Sequence, residues 1–320
     1  MNIRIRDWVV YIAARAAIGL AARVPETLGY GFARWLGRLY LRCDRRRQRY
    51  AMHFLRNAYP ERSDRELREL AAESTGHLFC VPLDMARLTR LLARGGNIRE
   101  VVDLEPAKPG LAAPPPFLAL TAHLGGWEAG AVAMAQVFGG AHGVARVSKN
   151  PLLQRWILRN RQAGGLTIHP RRGGFRGLAQ AVRGGAVGLQ VVDQNQRLRG
   201  VFAPFFGEIA SCERAAVSLA LRCNYPVVVG AGIRIGRGFR FKLVLGEPFW
   251  LQRTGDKAQD LLLAVTAVNQ RLEALIRQAP EQYLWIHDRY RTKPPAGGAA
   301  SDGGATEPED DGPEAEDDDA

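Results

Sequence analysis

The chain has 320 residues, 47% of them hydrophobic and 24% charged, with a formal net charge of +12. That length supports one substantial core, and the composition excludes collagen-like and fully disordered chains. The charge is uneven: residues 294–320 carry ten acidic and no basic side chains, so residues 1–293 carry +22. A body this basic attracts an extended anion such as a membrane surface, a nucleic acid or an acidic protein.

In chain order, residues 5–24 predict a helix closed by Pro25. Its stretch Trp8 to Ala22 is apolar except for Arg15. That falls short of the roughly 20 apolar residues a span requires, so an anchor or interfacial helix is expected, with a true span as the alternative. No cleavable signal peptide is expected. A second helix over 29–42 gathers Phe32, Trp35, Leu36, Leu39 and Tyr40 on one face, opposite Arg34 and Arg38. Such a helix fits the headgroup level of a bilayer, or the surface of the protein's own core. Arg45, Arg46, Arg47 and Arg49 predict a solvated basic face. Ser63 and Glu66 form a capping box that starts a helix running to about Phe79.

Gly95-Gly96 and the prolines between 106 and 116 mark loops. Strands and helices then alternate. Strands are expected at 117–121, 144–148, 166–168, 187–192, 226–233 and 239–245. Helices are expected at 127–138, 152–162, 177–183, 214–222 and 256–278. The alternation predicts an α/β layered domain with a largely parallel central sheet flanked by helices. The expected organisation is a helical, membrane-associating part over 1–105, an α/β core over 106–293 and a disordered acidic tail over 294–320.

The four cysteines (Cys43, Cys80, Cys212 and Cys223) match no zinc or haem spacing, and reduced thiols are expected. His53, His77, His142, His169 and His287 are scattered, without carboxylate or Cys partners at ligand spacing, and no metal or other cofactor is implied.

The densest chemical signal is Thr121-Ala-His123-Leu-Gly-Gly-Trp-Glu128. An apolar strand ends at His123, two glycines permit a tight turn, and a helix opens near Trp127. Ligands of open α/β sheets bind beyond the carboxyl ends of strands, where His123 falls. If the turn folds Glu128 back onto the imidazole, the carboxylate fixes one tautomer and leaves the other nitrogen as a base. The alternative is a structural histidine at a strand end.

Six blocks in order carry a resemblance. They are Asn57-Ala-Tyr-Pro60 after the basic run, then TAHLGGWE, then Arg146 to Leu152, then Arg161 with Gly164 and Gly165. The fifth is Asp193-Gln194 with Gly200 to Gly207, and the last is Pro280 to Lys293. Over residues 5–293 the sequence resembles the bacterial lipid A biosynthesis acyltransferases of the lysophospholipid acyltransferase superfamily. The resemblance implies a membrane-associated O-acyltransferase on the cytoplasmic face of the inner membrane. It implies His123 as general base and Glu128 as its orienting carboxylate, with Arg161, Arg146, Asn150, Asp193 and Gln194 lining the substrate cleft. The implied donor is acyl carrier protein or acyl-CoA, and the acceptor a glycolipid or phospholipid. An ornithine lipid, a phosphoinositide mannoside or a pigment is an alternative acceptor. Nucleic acid is not expected as a partner, since no zinc-finger spacing, helix-turn-helix cue or single-strand-binding aromatic block occurs. Two features depart from the family pattern: Glu208 to Arg214 replaces a Thr-rich turn, and the acidic tail is not a family feature.

Overall fold

The computed structural model describes residues 3–145, 148–171 and 173–295. The acidic tail beyond residue 295, expected to be disordered, lies outside the described residues.

Four helices open the chain: α1 (Ile5–Ala21), α2 (Glu26–Cys43), α3 (Arg45–Ala58) and α4 (Asp64–Ala93). The capping box of α4 forms as expected. Ser63 and Glu66 bond each other's backbone N–H groups and satisfy amides that the helix start leaves free. The arginine run expected as a solvated face is the first turn of α3, capped by Asp44. α4 continues past Phe79 and through Pro82. Proline disfavours a helix interior. Packing on both sides overrides that preference here, because α4 gives Leu67, Leu70 and Ala71 to one apolar cluster and Leu83, Leu88 and Leu91 to a second. α2 packs on α4 through Tyr30, Gly37 and Leu41. A Cβ on Gly37 would lie 2.5 Å from the Thr75 carbonyl oxygen, so glycine sets how closely the two helices cross. The opposite face of α2, with Phe32, Trp35, Leu36 and Leu39, is exposed to solvent, and so are Trp8, Val9 and Ile12 of α1.

The sheet follows. Its elements are β1 (Val102–Asp103), α5 (Lys108–Leu111), β2 (Leu118–Thr121), α6 (Trp127–Val137), β3 (Ala141–Ala145), α7 (Pro151–Ala163), β4 (Leu166–Pro170), α8 (Gly174–Arg183) and β5 (Val187–Val191). A hairpin of β6 (Val201–Phe205) and β7 (Glu208–Cys212) precedes α9 (Ala215–Cys223), β8 (Val227–Arg234), β9 (Phe241–Leu245) and α10 (Lys257–Ile276). Among the described residues, seven strands form one sheet in the order β1-β9-β8-β2-β5-β3-β4. All its pairs are parallel except β8 with β9. The mixed α/β architecture with a mostly parallel, helix-flanked sheet therefore stands as expected. β8 is buried at all eight positions, as a strand covered on both faces requires.

The second strand of the β6–β7 hairpin lies in the stretch that departs from the family pattern, and the sequence reading assigned no strand to either half. Phe206 and Gly207 form its two-residue turn with φ of 47° and 80°. Positive φ at both positions suits a two-residue hairpin loop. Glu208 then accepts from Asn57 of α3 at 2.6 Å and from Lys293 at 2.9 Å, and its carboxylate lies 2.7 Å from the His53 ring. The hairpin thus joins α3 to the last described segment of the chain.

Helical and sheet regions also meet in a buried ion pair. Asp84 of α4 pairs with Arg234 at the end of β8 and accepts from the Tyr30 hydroxyl at 2.7 Å. The Arg234 guanidinium also lies over the Tyr30 and Phe241 rings. Removing one member of a buried pair leaves an uncompensated charge and costs about 3–5 kcal/mol. Asp84→Ala is expected to destabilise the protein by about that much in denaturant titration. A loss below about 1 kcal/mol would show that the pair holds nothing together.

Candidate active site

Strand register decides which side chains meet. β2 and β5 are parallel neighbours with Thr121 opposite Val191, and the ladder continues through the Val192 amide to the Thr121 carbonyl at 3.0 Å. Two residues further on each chain, His123 and Asp193 stand side by side at the carboxyl edge of the sheet. Asp193 Oδ1 lies 2.8 Å from His123 Nδ1, and Oδ2 accepts from the His123 backbone N–H at 2.9 Å. One carboxylate thus grips both the ring and the main chain of the same residue. Asp193 is buried, whereas the His123 side chain keeps 22% of its surface exposed, enough for a reactant to reach the ring. The Trp127 ring stands edge-on to the imidazole at 5.2 Å.

This differs from the expected role of Glu128. The glycine turn does not fold Glu128 onto the imidazole, because the turn is docked on β8. Gly126 donates to the Gly232 carbonyl at 2.6 Å, and Gly125 donates to that of Gln282 at 3.0 Å. Gly125 has φ of +60°, and a Cβ there would lie 2.3 Å from the Gly232 carbonyl oxygen. From the first turn of α6, Glu128 instead takes two hydrogen bonds from Arg161 of α7, at 2.6 and 3.3 Å. Such a forked pair is strong and fixes orientation. The third guanidinium nitrogen, Arg161 Nη1, is buried without a hydrogen-bond partner.

Other expected cleft residues are placed differently. Asp193 serves the imidazole rather than an open cleft. The Asn150 side chain caps α7, accepting from Leu152 and Leu153 and donating to the Asp7 carbonyl. Gln194 is exposed at the start of the loop after Asp193. Arg146 lies outside the described residues. Histidines read as scattered, without carboxylate or Cys partners at ligand spacing, do make contacts in the fold: His53 meets Glu208, and Nε2 of His287 accepts from the Asn195 backbone N–H at 3.0 Å, beside Asp193. Spacing along the chain gives no sign of these contacts, since each bridges more than 90 residues.

Electrostatics follow from the pairing. Burial pulls the His123 pKa down, but the charge and hydrogen bond of Asp193, with a smaller contribution from Glu128, outweigh it and leave the ring more basic than ordinary. Burial works to raise Asp193, and contacts with His123 outweigh it and hold the carboxyl below its usual range. Burial pushes His287 down to about 4, so that ring is neutral at physiological pH.

An apolar cavity of about 120 Å³ opens beside these groups, with Thr121, Trp127, Glu128 and Arg161 among its lining. It runs between the sheet and α6, past Ala131 and Met134.

A basic imidazole oriented by a buried carboxylate thus stands at the carboxyl edge of the sheet, near an ion-paired arginine and a narrow apolar cavity. The family model described as "Bacterial lipid A biosynthesis acyltransferase" matches residues 3–292. The chain therefore belongs to the bacterial lipid A biosynthesis acyltransferases, and it is an acyltransferase. It is 27% identical to the lipid A biosynthesis lauroyltransferase of Escherichia coli, over 90% of this chain and 93% of that protein. It is likewise 27% identical to the E. coli lipid A biosynthesis myristoyltransferase, over 91% and 89%. The lipid A biosynthesis acyltransferase 1 of Shigella flexneri matches at the same identity over the same shares.

With the Asp193 charge removed, burial is opposed only by the smaller contribution of Glu128. Asp193→Asn is expected to bring the His123 pKa below that of free imidazole in an NMR titration, and Glu128→Gln to lower it less. The reverse ranking would mean that Glu128 is the carboxylate governing the ring.

Proposed function

We propose that the protein moves a fatty acyl group from a carrier thioester to a hydroxyl of a lipid A precursor or related glycolipid, with His123 as general base. The donor is acyl carrier protein or acyl-CoA. The observation that carries this reading is the hydrogen-bonded His123–Asp193 pair, two residues beyond Thr121 and Val191, which line the apolar cavity. With Nδ1 donating to Asp193, Nε2 is left to accept a proton. The acceptor hydroxyl gives that proton to Nε2 as its oxygen attacks the thioester carbonyl. Collapse of the tetrahedral intermediate expels the thiolate, which regains a proton from the imidazolium. Arg161, held by Glu128, retains one unpartnered N–H donor suited to the oxyanion that develops on the carbonyl oxygen. The acyl chain takes the cavity under α6. No serine or cysteine nucleophile enters the scheme, so transfer is direct.

The basic body, +22 over residues 1–293, suits an anionic carrier and a phosphorylated acceptor. The exposed apolar faces of α1 and α2 favour a resting place on the cytoplasmic surface of the inner membrane. Among the described residues, no helix is long and apolar enough to cross a bilayer, which favours a helix pair lying in the interface. Phe32 and Trp35 stack at 5.7 Å on that face.

The test is transfer from a mixed pool of acyl donors to a defined lipid A precursor by the purified protein. His123→Ala is expected to lower turnover by roughly two to four orders of magnitude while the fold persists, the usual contribution of a general base. Activity retained in a folded variant would remove the base from the mechanism. In a separate measurement, Phe32→Glu with Trp35→Glu is expected to weaken sedimentation with anionic phospholipid vesicles at least tenfold, since two exposed aromatics leave the interface. Unchanged sedimentation would move the membrane contact elsewhere.

A further inference from the structure

The cavity under α6 has a definite deep end. On the helix, Trp127, Ala131 and Met134 line it. Steps of three and four residues bring these positions to one face. From Trp127 to Met134 the helix advances about 10 Å, at roughly 1.5 Å per residue. Strand register supplies the opposite wall. Ala119, Leu189, Gly143 and Ile168 stand in one row across β2, β5, β3 and β4 and line the cavity. Ala119 and Gly143 are small, and they leave room between sheet and helix that larger side chains would fill.

One row further from His123, the cavity reaches Leu166 of β4. Leu166 and Met134 are both buried and belong to the same apolar cluster. Behind them stands an aromatic pair. Phe117, at the foot of β2, meets Phe138, one turn past Met134, edge to face with ring centroids 5.0 Å apart. The helix is also held from the α7 side. A Cβ on Gly164 would lie 2.9 Å from the Val132 side chain, and one on Gly165 3.2 Å from that of Ala135. With α6 fixed at its start by the glycine turn and along its length by α7, the depth of the cavity is set by side chains and not by movement of the helix.

We propose that Met134 is the floor of the acyl site and determines the length of the chain the enzyme transfers. The proposal rests on the reading that the acyl chain takes this cavity. The reacting carbonyl is held at the end where Arg161 and Glu128 line the wall, and the methyl end of the chain stops against Met134. A shorter chain leaves the deep end empty and forfeits dispersion contacts there. A longer chain meets a packed side chain backed by two aromatic rings, and overpacking such a wall is costly. Methionine suits the position, since its unbranched thioether fills an irregular gap. One methylene more or less in an apolar pocket changes kcat/KM by roughly 10- to 200-fold, so a single floor residue is enough to select a length.

The experiment uses the full chain, a lipid A precursor as acceptor and a mixed pool of saturated acyl-CoA and acyl carrier protein thioesters of graded length. Products are identified by mass, and melting temperature is recorded for each variant. Met134→Ala is expected to move the preferred chain longer by about two methylenes and to change the ratio of long to short kcat/KM by about tenfold or more. Met134→Val removes less volume and should move it the same way by less, which keeps the test open if the alanine variant does not fold. Ala131→Leu narrows the cavity one turn nearer the chemistry and should shorten the preferred chain. Val132→Ala is the control: it loosens the α7 side of the same helix and should lower the melting temperature without changing chain length. If Ala131→Leu shortens the chain while folded Met134 variants leave it unchanged, the floor lies elsewhere and the proposal is overturned, with the acyl site intact. An equal shift in Val132→Ala overturns it too, because general loosening would then explain the effect. If active variants at 131 and 134 all keep the parent's preference, the cavity does not hold the chain, and the failure belongs to the reading of the acyl site.

Discussion

The register of β2 against β5 governs the site. Because Thr121 stands opposite Val191, the residues two steps beyond are neighbours, and Asp193 closes on both the ring and the backbone amide of His123. A slip of one residue in a strand turns every side chain to the other face. The site's geometry is therefore fixed by the apolar residues that hold these two strands in place, chiefly Leu118 and Leu120 on one face and Ala119 on the other. Two residues before the pair, Thr121 and Val191 line the cavity under α6, at the strand edge where open parallel sheets commonly bind their ligands.

Two carboxylates near one histidine divide the work. Asp193 is sequestered and acts on the imidazole, while Glu128 holds Arg161 in a forked pair. The separation gives one acid to the imidazole and one to the guanidinium, which keeps one buried nitrogen without a hydrogen-bond partner and lines the apolar cavity. Stability and function meet at the Gly125-Gly126 turn. Its carbonyl and amide contacts with Gly232 and Gln282 lock the start of α6 onto β8, whose end is tied to α4 through Arg234 and Asp84. The N-terminal helices are thus mechanically continuous with the turn beside His123.

Much of the fold was legible in the sequence because most elements carry their own signal. The capping box of α4, the apolar runs of β2 and β8, and the strand–glycine–helix passage at 118–137 all form where local pattern places them. The misses have physical causes. Helix α4 runs through Pro82 because two apolar clusters hold it on either side. The β6–β7 hairpin has a Phe-Gly turn with no Asn or Asp to announce it. At the site, His123 and its position were legible from the strand end. Its partner was not, because a carboxylate five residues away looks nearer than one seventy residues away until the strands are paired. Asn150 read as a cleft residue for a similar reason, since a helix cap and a ligand-binding loop share the same residue types.

The central claim is that Asp193 holds His123 in the tautomer with the proton on Nδ1, leaving Nε2 to act. The ¹⁵N chemical shifts of His123, measured above its pKa in the full-length protein, report this directly. A protonated Nδ1 and a bare Nε2 are expected. A bare Nδ1 with the proton on Nε2 would contradict the account, since the ring would then have no base to offer an incoming hydroxyl.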